Sequence, residues 1–248
     1  VSRGSRSYAF YGRSGTGKTT LAGSFPGPVY LVDIDDDGWD SVSDVKDLEV
    51  TEPKTWEAHE EVYWWLKAGD HNFKTVVIDT VTNLQTLAIR KVLQDKKKST
   101  ERAGDWGTMT KREWGDVAQL MKSWISNWRD LDMEVVFIAQ DRLFNFGGDE
   151  EEVDAELAPE VGPRLSPSVA SALNAAVSVI GNTFIRETEY TKEVAGKKKQ
   201  LTRIEYCLRV GPNPVYITKM RKPIGIKLPP VIIDPTYEEL IDIIEGVE

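Results

Sequence analysis

The chain reads as one α/β domain, with a mostly parallel central sheet flanked by helices and antiparallel strands toward its C-terminal end. Three observations predict this. Strand-like runs rich in Val, Ile and Tyr alternate with helical patterns from Tyr8 to Ala139. One of these runs, Thr75-Val76-Val77-Ile78, is apolar at successive positions, as a strand covered on both faces must be. The first strand also runs directly into Gly12-Arg13-Ser14-Gly15-Thr16-Gly17-Lys18-Thr19, a turn with the spacing GxxxxGK[ST], and then into a helix former. With 248 residues, 40% of them hydrophobic, the chain can build one sizeable core, and residues 1–248 are taken as a single domain.

Tyr8 to Tyr11 is the first strand. In the turn behind it the glycines let successive backbone N–H groups point inward at phosphate oxygens, which makes Gly12, Arg13, Ser14, Gly15, Thr16, Gly17, Lys18, Thr19 and Thr20 a cradle for a nucleoside triphosphate. Lys18 reaches the β- and γ-phosphates. Thr19 offers its hydroxyl to the Mg²⁺ that travels with ATP, because a hard cation takes oxygen ligands. An ordinary glycine turn is the bland alternative.

Val29 to Ile34 is the second strand, leading into Asp33-Ile34-Asp35-Asp36-Asp37-Gly38. Hydrolysis needs a carboxylate to orient or deprotonate water. A period of two sets Asp33 and Asp35 on one side of the strand; Asp35 is the favoured candidate, with Asp33 and Asp36 open. Trp56 to Ala68 is helical. The strand from Thr75 closes in Asp79, which either positions the metal or caps the helix that follows.

Eight basic residues against three acidic ones lie between Arg90 and Arg112, an excess of five positive charges in a chain whose net charge is −9. That acidic total argues against wholesale wrapping by nucleic acid. Glu113 to Leu131 is a long helix in which Trp114, Ala118, Met121, Ile125 and Trp128 recur at spacings of three and four, predicting a buried stripe, with ligand contact as the alternative for the two tryptophans. Glu134 to Ala139 is a strand ending at Gln140. Asp141 to Pro167 has no clear period, carries the acidic run 149–152, and reads as a functional or disordered loop. Ser168 to Ala176 can form a short helix. Val177–Ile180, Asn182–Thr188, Thr202–Val210 and Val215–Lys219 read as strands, with Lys197–Lys199 at a hairpin tip, and a final helix covers about 236–245, stopped by Gly246. The single cysteine, Cys207, excludes an intramolecular disulfide and reads as a core thiol in a reducing cytoplasm. No apolar run approaches the ~20 residues of a membrane span and no charged-then-apolar leader opens the chain, so a soluble cytoplasmic protein with no membrane partner is expected.

In its order of phosphate loop, acid-ended strand, strand ending in Asp79 and strand ending in Gln140, the chain resembles the ATPase core of the RecA/RadA recombinase family over roughly Ser7 to Pro229. It is similar more closely still to phage-encoded RecA-like nucleotide-binding proteins. The resemblance implies a RecA-like P-loop NTPase fold with ATP and Mg²⁺, the catalytic acid falling on Asp35 and a γ-phosphate sensor on Gln140. Lys219 and Arg221 fall on a pair that reaches the neighbouring subunit's nucleotide, which implies a homo-oligomer with ATP at its interfaces. Two loops, about 95–111 and 142–166, fall on the family's single-stranded DNA contacts. The implied activity is ATP hydrolysis coupled to single-stranded DNA in phage recombination or strand annealing, in the cytoplasm of an infected bacterium and beside a single-strand-binding protein. An ATP-gated partner-binding switch such as a helicase loader is the alternative. An Asp stands where the recombinases usually carry Glu, which implies slow, DNA-stimulated turnover.

A single-strand binder needs a basic groove with aromatic faces, since base stacking contributes ~1–3 kcal/mol per base. The first loop offers Lys96, Lys97, Lys98, Arg102 and Trp106; the second offers Arg142, Phe144, Phe146 and Arg164. For the three aromatic residues, packing is the alternative to stacking. For the lysine run it is a solvated helix end.

Overall fold

Alternating strands and helices build the first half of the chain, as the apolar periods require. The computed structural model describes residues 5–34, 38–96, 109–144, 160–194 and 197–246. In order, the elements are β1 (Ser7–Tyr11), α1 (Lys18–Gly23), β2 (Val29–Asp33), a 3-10 turn (Gly38–Val42), β3 (Leu48–Thr51), α2 (Trp56–Ala68), β4 (Thr75–Asp79), α3 (Val81–Asp95), α4 (Lys111–Arg129), β5 (Glu134–Ala139), β6 (Asp141–Phe144), β7 (Glu160–Pro163), α5 (Pro167–Ala176), β8 (Val179–Val194), β9 (Lys197–Arg209), β10 (Lys219–Met220), β11 (Val231–Ile233) and α6 (Tyr237–Glu245).

The main sheet has the order β11-β9-β8-β1-β5-β4-β2-β3, with β10 also paired to β8, and β6–β7 form a separate hairpin. Pairing is parallel from β8 across to β3, whereas β9, β10 and β11 join antiparallel. The α/β class with a mostly parallel sheet and antiparallel C-terminal strands is thus present. One consequence of the order positions the site: β5 lies between β1 and β4, so Gln140 at its end stands between the glycine-rich loop and Asp79.

Successive strand residues face opposite sides, and each side has its own core. Ala9, Tyr11, Val76, Ile78, Val135 and Phe137 pack under α2, α3, α4 and α5. Tyr8, Phe10, Val77, Val136 and Ile138 pack under α1 and α6. On the first side Trp128 is fully buried and donates its Nε1–H to His59 Nε2 at 2.9 Å. Truncating a tryptophan so enclosed costs about 3–5 kcal/mol.

The helix α4 begins at a capping box, with Thr110 accepting from Glu113 N and the Glu113 carboxylate accepting from Thr110 N. Its buried face is Val117, Met121, Trp124, Ile125 and Trp128, which corrects the expected stripe at one end. Trp114 in the first turn is 39% exposed, because it opens into a cleft beside α3 and the start of α5.

Three other expectations change. The strands predicted on either side of Gly181 are one strand, β8, paired with β9 as far as Val194↔Lys197. Asp141 to Pro167 holds the hairpin strands β6 and β7. Val215 to Lys219 is not one continuous strand: Tyr216 makes a single parallel bridge to Val161 and Lys219 opens β10, while Asn213 Oδ1 accepts from Val215 N and Tyr216 N, each at 2.9 Å, and holds those two donors in the loop. Cys207 is buried, and burial raises its thiol pKa, as a core thiol requires. Among the described residues no helix is long and apolar enough to cross a membrane.

Candidate functional site

The glycine-rich turn folds against β8 as closely as backbone allows. A Cβ on Gly12 would fall 2.4 Å from both the carbonyl oxygen and Oγ1 of Thr183, so only glycine lets the chain leave β1 here. Thr16 Oγ1 donates to Arg13 O at 2.7 Å and shares a 2.6 Å hydrogen bond with Thr183 Oγ1. The loop is thereby pinned to β8, and Gly12 N donates to Ala139 O at 3.3 Å on the β5 side. Gly17, left-handed at φ 84°, turns the chain into α1. Lys18 is buried, its Nζ donating to Gly12 O at 3.0 Å and Arg13 O at 2.7 Å.

Thr19 Oγ1 donates to Asp79 Oδ2 at 2.7 Å, tying the loop to the end of β4 across 60 residues of sequence. The helix-cap alternative for Asp79 falls away, because Thr80 is the residue whose side chain accepts from Asn83 N at the start of α3. The Asp79–Thr80 peptide is cis. Asp33 is in register beside Asp79 on the neighbouring strand, and both are 1% exposed. Asp33 Oδ2 accepts from Trp39 N at 3.3 Å. Asp35 and Asp36 lie outside the described residues. The returning chain closes over the pair: a Cβ on Gly38 would sit 2.8 Å from Asp79 Oδ2 and 3.6 Å from Thr19 Oγ1.

These groups suit a triphosphate with Mg²⁺. The donors at Thr19 and Asp79 are hard oxygens, and among the described residues no cluster of three or more His, Cys, Asp or Glu could cage a metal outright. Mg²⁺ rarely takes such a cage; it binds through one or two protein oxygens plus phosphate and water. A cleft of about 820 Å³ runs from the loop past Gly38 and Ser41 to Tyr206 and the turn Asp234–Thr236.

Gln140 stands at the end of β5, beside Gly12. Its backbone N donates to Thr82 Oγ1 at 3.2 Å, and its Oε1 accepts from Arg164 Nη1 at 3.1 Å. Beyond it lies a second cleft, about 870 Å³, whose lining includes Gln140, Arg142, Arg164, Trp114 and Ser166. Arg142 holds its guanidinium carbon 5.4 Å from the Phe144 ring centroid, and Phe144 is half-buried against the core. Lys96, at the end of α3, is ion-paired with Asp116 at 3.3 Å. Lys97, Lys98, Arg102, Trp106 and Phe146 lie outside the described residues.

Lys219 and Arg221 are not brought to this chain's own loop. β10 pairs with Val179 and Ile180, which lie beside Tyr8 and Ala9 at the opposite end of β1 from Gly12. There Lys219 Nζ donates to Asn174 O at 2.6 Å and Arg221 Nη2 to Ala175 O at 3.2 Å, at the end of α5. Burial, with the Arg221 charge beside it, lowers the Lys219 pKa.

Thr183, Tyr206, Trp114 and Gly38 were not among the expected site residues. Gly38 had a signal, the glycine closing the acidic run. Thr183 and Tyr206 sit in a strand pair whose alternation marks two faces without saying which one meets the loop.

The family model described as AAA domain matches residues 5–221. No curated protein matches the chain. Among solved structures, the crystal structure of the RadB recombinase is similar at 16% identity over 82% of this chain and 87% of that chain, with a TM-score of 0.41.

Proposed function

The chain belongs to the AAA domain family, and from that premise we propose that it binds and hydrolyses ATP with Mg²⁺ and couples hydrolysis to single-stranded DNA, in a recombination or strand-annealing role of the kind its sequence resemblance implies for phages. The observation that carries the nucleotide part is the Thr19–Asp79 hydrogen bond, which joins the loop to a buried acid at one point. Thr19 and Asp79 would hold Mg²⁺, which supplies charge neutralisation at the phosphates. Lys18 would exchange its bonds to Gly12 O and Arg13 O for phosphate oxygens, and an acid from the end of β2 would orient water.

The DNA part is supported by the second cleft, where Arg142 and Arg164 lie with the exposed face of Trp114, a cation-and-aromatic pairing that suits a single strand. Gln140, which follows β5 beside Gly12, lines this second cleft and accepts from Arg164 there. ATP hydrolysis measured with and without a single-stranded oligonucleotide, over a salt series, tests the proposal. Stimulation that fades as salt rises is expected, because phosphate contacts exchange with counterions. An unchanged rate together with unchanged tryptophan fluorescence would remove DNA and favour the ATP-gated partner switch.

A further inference from the structure

We propose that Tyr206 is the stacking platform for the base of the bound nucleotide, in a subsite completed by the turn Asp234–Thr236. The inference rests on the phosphate-loop reading and adds to it the other end of the ligand. Tyr206 pairs with Ile185 in the β8–β9 ladder, and strand alternation places it on the same face as Thr183, the residue that holds Thr16. Its ring reaches the loop itself: Cδ1 lies 3.3 Å from the position a Cβ on Gly17 would occupy. One edge of the ring is thus fixed, yet the residue is 46% exposed, because the rest of it faces the cleft.

The opposite wall is anchored at both ends. Asp234 N donates to Tyr206 O at 2.6 Å, which sets the turn beside the tyrosine. Asp234 adopts φ 49°, Thr236 caps α6 by accepting from Glu239 N, and Tyr237 N donates to Ser24 Oγ at 2.9 Å just past the end of α1. The cleft's about 820 Å³ falls within the ~300–1,000 Å³ typical of small-molecule sites. Among the described residues, Tyr206 is the one aromatic side chain that lines it. A triphosphate seated at Gly15–Thr19 therefore has a single π-face within the same cleft for its base.

Calorimetric titration of the whole chain with ATP, GTP and inorganic tripolyphosphate tests this in wild type, Tyr206→Ala and Tyr206→Phe, with circular dichroism as the control for folding. Tyr206→Ala should weaken ATP and GTP by ~10-fold or more while tripolyphosphate is unchanged, and Tyr206→Phe should keep wild-type affinity, because stacking needs the ring and not the hydroxyl. Unchanged ATP binding in Tyr206→Ala would overturn the proposal. So would an equal loss of ATP and tripolyphosphate, which would make Tyr206 a prop for Gly17. Wild-type protein that binds neither ATP nor tripolyphosphate would sink the phosphate-loop reading, and the base subsite with it.

Discussion

Asp33 and Asp79 stand side by side at the ends of adjacent strands, each almost fully enclosed, and this pairing sets the sharpest residue-scale question: which acid at the end of β2 serves the reacting water. A strand alternation of two gives Asp33 and Asp35 the same side, so sequence alone left both open. Asp33 is the described member of the set and already accepts a hydrogen bond from Trp39 N. If either acid acts as general base, its change to asparagine should slow turnover by ~100-fold or more while ATP still binds. Single-turnover hydrolysis of Asp33→Asn and Asp35→Asn, compared with ATP affinity, separates them; near-normal turnover excludes the residue changed. The loop and Asp79 were legible because each is a short local pattern, whereas Gln140 carried no such mark and entered only through the family resemblance. Thr183 was not legible, since it meets Thr16 across 167 residues and a threonine in a strand carries no mark of such a contact.

At the scale of elements, strands and helices with continuous or strongly periodic apolar runs were legible, with β4, β5 and α2 matching their predicted spans. Short pieces were not. β3 is four residues at the edge of the sheet, and β6 and β7 pair across a gap that no local pattern bridges. The interface of α2 and α4 also carries a pH dependence. His59 is fully buried against the rings of Trp56, Trp124 and Trp128, and desolvation lowers its pKa to about 3. In the unfolded chain a histidine titrates near ~6.5. The unfolded state thus binds the extra proton first, and stability present above that value is lost progressively as pH falls toward 3. Glu205, hydrogen-bonded to Arg186 and Arg203, is held down to about 2, so its contribution is present above the ordinary carboxylate range and is lost only on stronger acidification. Between pH 7.5 and 5, melting temperature should fall, and the fall should be shallower in His59→Gln; equal slopes would remove the histidine from the explanation.

For the whole molecule, the strand order places Gln140 between the phosphate loop and Asp79 on one edge of the sheet, and sends Lys219 and Arg221 to the far end. Neither fact was legible in local sequence, because strand order is set by which apolar faces helices can cover, not by any one strand. If Arg221 serves a neighbouring copy's nucleotide, Arg221→Ala should lose turnover on its own and regain it when mixed with Lys18→Ala, which lacks a working loop but still offers Arg221. No recovery in the mixture would assign the arginine to the end of α5, where it donates to Ala175 O. Both the DNA reading and the base subsite depend on the loop at Gly12 to Thr19 being a nucleotide site. Calorimetric titration of ATP with Mg²⁺ into wild-type and Lys18→Ala protein measures that directly. Saturable wild-type binding that weakens by ~100-fold or more in Lys18→Ala is predicted, since a charge-assisted contact to phosphate is removed. Equal affinity in the two proteins would contradict it.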